Sequence, residues 1–313
     1  MGPDEQAAVE VEGLSRRFGA VEAVRGVTLK IARGEIFGLV GADGAGKTTI
    51  LRMLAGVLPP DAGAIRVAGV DVVAEPKRVK PQISYMPQRF GLYEDLTVAE
   101  NIFFYGEMFE VPASERRSRT TKLLGAAGLS PFQRRLAGQL SGGMKQKLGL
   151  VCALIHTPRV LLLDEPTTGV DPVSRRDFWA ILYGLRETGV TVVLSTAYMD
   201  EAERCTRVAL LQAGAIRHCD TPARLKQAMP GALLDVVAQS PALARHALDG
   251  APGVLGLLLM GDRVHVRVDE AARRIPELRA RLIRRGIEPI EIASIEPGIE
   301  DVFIALLQPG GTA

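Results

Sequence analysis

EIFGLVGADGAGKTTILRMLAGVLPP, from Glu35 to Pro60, falls into three parts whose order decides the fold. Glu35–Val40 is a dense apolar run and reads as a buried strand. Gly41–Thr48, GADGAGKT, fits the pattern G-x-x-x-x-G-K-[ST]. A helix is expected from Gly46 to about Leu58, with Ile50, Leu51, Leu54 and Leu58 on one face and Pro59-Pro60 ending it. A glycine-rich loop between a strand and a helix lets backbone N–H groups wrap a phosphate, and the helix N-terminus adds its positive end. Gly41, Ala42, Asp43, Gly44, Ala45, Gly46 and Thr49 are therefore candidate cradle residues. Lys47 would bridge the outer phosphates and Thr48 would ligate Mg²⁺. The plainer alternative is a strand–helix turn that merely contains glycines. The flanking strand and helix are the context that the phosphate reading requires.

Downstream, RVLLLDEP (Arg159–Pro166) supplies a complement. Val160–Leu163 reads as a buried strand with Asp164 at its carboxyl end, where a carboxylate can hold Mg²⁺ through water. Glu165 follows and can polarise an attacking water. Two acids could simply close a strand, but the upstream loop disfavours that. LSGGMKQKLGL (Leu140–Leu150) starts a helix with Ser141 and the N–H groups of Gly142 and Gly143, a second anion-binding end. An ordinary Ser N-cap describes the same residues, and both readings hold together.

VTVVLSTAYMDEAER (Val190–Arg204) reads as a buried strand to Leu194, a polar turn Ser195-Thr196-Ala197, and an acidic helix. Strand ends in open α/β sheets are where catalytic groups gather. Ala197 can do no chemistry there.

Around these motifs, AAVEVEGL and GVTLKIARG alternate as half-buried strands, and RVALLQAGAI reads as an edge hairpin. The stretch 89–150 looks helical, an insertion into a parallel α/β core. After about Pro222 the order becomes βαββαβ, with a turn at Gly261-Asp262 and an amphipathic helix that stops at Gly286. That order matches the ferredoxin-like unit. The expected fold class is α/β: residues 1–222 form a P-loop domain with helical subdomain 89–150, and residues 223–313 a small α+β domain.

Bulk properties narrow the class. With 38 Lys and Arg against 36 Asp and Glu, the net charge is +2, and no nucleic-acid partner is expected on electrostatic grounds. Arg273-Arg274 and Arg284-Arg285 are interleaved with acids and read as solvated helix faces. Cys152, Cys205 and Cys219 show neither CxxC spacing nor even pairing, as for buried thiols in a reducing compartment. MGPDEQ has no signal-peptide pattern, and Gln6 spoils a myristoylation motif at Gly2. No apolar run approaches the roughly 20 residues of a membrane span, so any crossing would fall to another subunit.

The P-loop, the SGG helix start and the DE-ended strand, in this order, resemble the ABC transporter ATPases over residues 8 to about 220. The resemblance implies ATP and Mg²⁺ as cofactors. It implies a second ATPase domain, identical or not, whose Ser141–Gly143 equivalent covers the γ-phosphate held here. Phe18 matches the adenine-stacking aromatic, although alone it reads equally well as core. Gln88 matches the loop that contacts Mg²⁺ and water and touches the membrane subunit. Lys47, Gln88 and Glu165 would be catalytic; Thr48, Gln88 and Asp164 would hold the metal. Asp171 matches the loop that crosses the dimer interface, and also reads as an N-cap before Pro172. YMPQRFGLYEDLTV, LLLDEPTTGVDP and the C-terminal EPGIEDVFIALL resemble the branch served by ABC-2 type membrane permeases, which exports drugs and surface compounds. The likeness extends to the first ATPase half of YbhF-type tandem proteins. Pro309-Gly310-Gly311 is compatible with a linker to a second half.

Ala197 departs from the family's S-T-H at this strand end. Losing one such donor to the γ-phosphate slows hydrolysis by roughly 10²–10³. None of His156, His218, His246 or His265 stands nearby in sequence. The expectation is an ATP-hydrolysing exporter subunit on the cytoplasmic face of the membrane. The alternative is a nucleotide-binding regulatory half with little hydrolysis of its own. A ribosome- or DNA-directed relative is disfavoured, because no basic linker, long coiled coil or zinc insertion is present.

Overall fold

Alternating apolar and polar residues make Ala7–Phe18 (β1) and Val21–Ala32 (β2) an antiparallel pair with one face buried. The structure, a computed structural model, describes residues 7–307, so Pro309-Gly310-Gly311 lies outside the described residues. The chain divides into two compact units, one up to Cys219 and one from Asp220 onward.

In the first unit, Ile36–Val40 (β3) leads through the glycine loop into Lys47–Leu54 (α1). Ala62–Val67 (β4) and Val70–Asp71 (β5) then return to the first pair, giving the sheet order β2-β1-β4-β5. Pro76–Val79 (α2) precedes Ile83–Met86 (β6). Three helices follow: Val98–Met108 (α3), Ala113–Ala126 (α4) and Gly142–Leu154 (α5). They close around Ile102, Leu124, Leu148 and Val151. Val160–Asp164 (β7), Pro172–Glu187 (α6), Thr191–Thr196 (β8), Met199–Ala202 (α7), Arg207–Gln212 (β9) and Ala215–Asp220 (β10) complete the unit.

The second sheet runs β10-β9-β3-β8-β7-β6, and the run from β9 through β3, β8 and β7 to β6 is parallel. Every residue of β3, β7 and β8 is buried, as expected where both faces of a parallel sheet are covered. Their register pairs Val40 with Thr196 and Asp164 with Ser195, so three carboxyl ends meet at one edge.

The structure corrects two boundaries. α1 ends at Leu54, not near Leu58, because Gly56 (φ 66°) turns the chain before the prolines are reached. β8 continues through Thr196, so Ser195 and Thr196 are buried strand residues and not a turn. β4 and β6 were not anticipated: each is short, and neither alternates strongly.

The second unit holds Pro222–Gln227 (α8), Ala232–Ala238 (β11), Pro241–Leu248 (α9), Val254–Met260 (β12), Arg263–Val268 (β13), Ala271–Arg284 (α10), Pro289–Ile295 (β14) and Ile299–Leu307 (α11). Its sheet, β12-β13-β11-β14, is antiparallel throughout. Leu234, Val236, Val264, Val266, Leu278 and Leu282 form its core. Among the described residues, no helix of either unit is long and apolar enough to cross a membrane.

Candidate active site

The glycine loop works by close approach as much as by flexibility. A Cβ on Gly41 would lie 2.7 Å from the Leu211 carbonyl oxygen. Gly46 caps α1 at φ 104°, and a Cβ there would lie 2.4 Å from the Ala23 carbonyl oxygen. The loop is thereby wedged between β9 and β2, and the first-turn N–H groups of α1, which have no carbonyl behind them, face open space. That space is a cavity of about 410 Å³ lined by Phe18, Ala23, Asp43 to Thr49, Gln88 and Glu165.

Lys47 is buried, and its ammonium donates to the carbonyls of Gly41 at 2.8 Å and Ala42 at 3.2 Å. The Glu165 carboxylate lies 3.3 Å from it. Glu165 adopts a left-handed backbone, φ 47°, which costs a non-glycine residue roughly 1–2 kcal/mol. Its N–H is tied to the β8 end by Ser195 Oγ at 2.9 Å. The turn directs its carboxylate back over the cavity, where Gln88 Nε2 donates to it at 3.1 Å.

Asp164 is buried and accepts three hydroxyl hydrogen bonds: from Thr48 at 2.9 Å, Ser195 at 2.7 Å and Tyr85 at 3.2 Å. Burial, then the Asp164 charge, pushes the Tyr85 phenol up to about 12, so it stays a donor at ordinary pH. Because Thr48 gives its hydrogen to Asp164, its oxygen lone pairs remain available to a hard cation. The donors gathered here, hydroxyl, carboxylate and amide oxygens, are the set that Mg²⁺ accepts. Among the described residues no His, Cys, Asp and Glu cluster offers a different metal site.

The structure thus brings together the cradle, Lys47, Thr48, Thr49, Gln88, Asp164 and Glu165. Gly41 and Ala42 serve through their carbonyls and do not line the cavity. Phe18 stands at the rim, 48% exposed, with the Arg16 guanidinium 5.1 Å from its ring, so core packing is not its role. Ser141, Gly142 and Gly143 do not line the cavity of their own chain. Ser141 caps α5 by accepting from the Met144 N–H at 3.3 Å, and Asp171 caps α6 by accepting from Ser174 N–H at 2.9 Å. Ala197 is exposed just past β8, and no histidine lines the cavity. His156 stacks on Phe109, and His265 pairs with Asp301 at 2.7 Å.

Sequence reading missed Ala23, Tyr85 and Ser195. Ser195 carried a visible signal, a hydroxyl ending an apolar run. Tyr85 carried none, since β6 itself was unread.

A family profile described as ABC transporter matches residues 24–168. The chain is 47% identical over 227 residues to the "Probable multidrug ABC transporter ATP-binding protein YbhF" of Escherichia coli strain K12. That match takes in 72% of this chain and 39% of the relative, so the chain spans about two fifths of that protein's length. It is 34% identical over 290 residues to the "Daunorubicin resistance ATP-binding protein DrrA2" of Streptomyces coeruleorubidus, covering 91% of this chain and 90% of the relative. Among solved structures, an ATP-binding subunit of an ABC transporter aligns with TM-score 0.65 at 29% identity, over 70% of this chain and 92% of that one. The dimeric bacterial ABC transporter cassette MJ0796 aligns with TM-score 0.62 at 25% identity, over 68% and 98%.

Proposed function

This chain belongs to the ABC transporter family of ATP-binding proteins, and from that premise we propose that it binds and hydrolyses ATP to power an exporter of drug-like or surface compounds. The observation that carries the reading is the single cavity in which Lys47, Thr48, Gln88 and Glu165 converge, with Asp164 behind Thr48. The α1 N-terminus and Lys47 would hold the β- and γ-phosphates, and Phe18 would stack on the base. Thr48, Gln88 and Asp164 would hold Mg²⁺, which when bound neutralises phosphate charge. Glu165 would orient and deprotonate the attacking water, with Gln88 fixing its carboxylate.

Ser141–Gly143 do not line their own chain's cavity, which supports a composite site completed by a second ATPase domain. A likeness to a cassette described as dimeric supports the same arrangement. Resistance and multidrug names among the relatives support the export direction and ABC-2 type permeases as membrane partners. The chain would then dock peripherally at the cytoplasmic face. Residues 1–222 would be the ATPase domain, with helical subdomain 89–150, and 223–313 an accessory domain. The strand order β12-β13-β11-β14 with βαββαβ succession supports a ferredoxin-like unit there.

Ala197 favours a second reading, a regulatory half that binds ATP and lends Ser141 to a more active partner. Reconstitution with the permease and any partner ATPase separates the two. Loss of transport-coupled hydrolysis in Glu165→Gln supports the catalytic role; unchanged turnover supports the regulatory one.

A further inference from the structure

We propose that the first unit carries a second ligand site, remote from the nucleotide cavity, that takes a small amphiphilic anion: an acyl or aromatic body bearing a carboxylate or sulfonate. The site is a groove of about 680 Å³, inside the range of roughly 300–1,000 Å³ typical of small-molecule sites. Arg33, Arg159 and Val190 line it from just before β3, β7 and β8. It therefore opens at the amino ends of the parallel strands, whereas the nucleotide cavity opens at their carboxyl ends. The two share no lining residue.

Its floor is apolar, built by Leu123 of α4, Leu154 of α5, and Ile181 and Leu185 of α6. Ala180, Ile181, Gly184, Leu185 and Thr188 recur at helical spacing, so one face of α6 lines the groove, while Asp177 and Glu187 of that helix do not. Gly184 keeps the groove deep: a Cβ there would meet nothing within 4 Å.

The rim is cationic. Arg33, Arg119, Lys122 and Arg159 line the groove, and no acidic residue does among the described residues. Arg119 is engaged by Glu115 and by the Ile155 carbonyl at 3.1 Å. Arg33, Lys122 and Arg159 make no ion pair among the described residues. Three uncompensated cations around an apolar hollow favour a ligand that is apolar in its body and negative at its edge. Exposed charges contribute modestly to affinity, so the floor would supply most of the binding and the rim would select the sign of the ligand.

The test uses the purified full chain and anilinonaphthalene sulfonate, whose fluorescence rises in apolar surroundings, with decanoate and 1-decanol as competitors. The site predicts one saturable probe per chain, displaced by decanoate but not by equal decanol, and unaffected by ADP. Lys122→Glu with Arg159→Glu should weaken the probe by at least about tenfold, as should Gly184→Phe, which fills the hollow. The first pair acts at exposed positions and the second in open space, so circular dichroism and thermal midpoint should match the parent; a folding defect in one leaves the other decisive. Unchanged probe affinity in a folded variant, equal displacement by decanol, or displacement by ADP would each overturn the proposal. So would binding of an acidic amphipathic helix with no binding of decanoate.

Discussion

The Lys47 ammonium lies 3.3 Å from the Glu165 carboxylate, and the lysine side chain is only 4% exposed. The cation that would grip the phosphates and the carboxylate that would activate water are therefore paired with each other. An incoming γ-phosphate would compete with Glu165 for the same ammonium. Glu165→Gln should lower hydrolysis about 10²–10⁴-fold, the usual worth of a positioned general base. The same change removes the competing anion, so ATP should bind more tightly, measured calorimetrically. Weaker ATP binding would show that Glu165 organises the cradle and does not compete with it.

Ala197 sits exposed immediately after β8, beyond Thr196, which donates to Glu201 at 2.7 Å. That bond and the β8 ladder hold the strand end, so a larger side chain at 197 should cost less than about 0.5 kcal/mol, as at other exposed positions. Ala197→His should raise kcat by about 10²–10³-fold, the worth of one preorganised donor. Steady-state kinetics of the purified chain decide it; an unchanged kcat would mean the position does not reach the γ-phosphate.

Neighbouring glycines at the α5 start should respond differently. A Cβ on Gly143 would come within 2.4 Å of Ser174 Cβ and 3.2 Å of Asp171 Oδ2, whereas one on Gly142 meets nothing within 4 Å. Gly143→Ala should destabilise by about 1–3 kcal/mol through overpacking of α5 on α6. Gly142→Ala should be neutral or slightly stabilising, since alanine favours helix. Urea midpoints of the two variants provide the comparison, and equal midpoints would refute the close approach.

Alkaline pH should act through Tyr85. Its phenol is raised from 10.0 to about 12 in the folded chain, by burial first and by Asp164 second. Between these values the unfolded chain releases a proton that the folded chain keeps, so stability present below pH 10 is lost as pH rises toward 12. Tyr105 is raised to about 12 as well, chiefly by burial, and adds in the same direction. Tyr85→Phe should therefore lose less stability across this window than the parent. Parallel denaturation profiles would contradict the assignment.

The sequence by itself determined the phosphate cradle, the two acids at the end of β7 and the capped start of α5. Each is a local arrangement, set by glycine geometry, helix termini and the alternation of apolar residues within a few positions. It also exposed Ala197 as an absence, because the surrounding pattern is local too. Tertiary structure alone decided what surrounds Asp164. Ser195 and Tyr85 reach it from 31 and 79 residues away, through the parallel register of β7 with β8 and of β6 with β7. Register between strands so distant in sequence is set by burial of whole faces, which no short motif encodes. The same reason hid the groove between α4 and α6: its floor comes from helices whose apolar faces look, in sequence, like ordinary core.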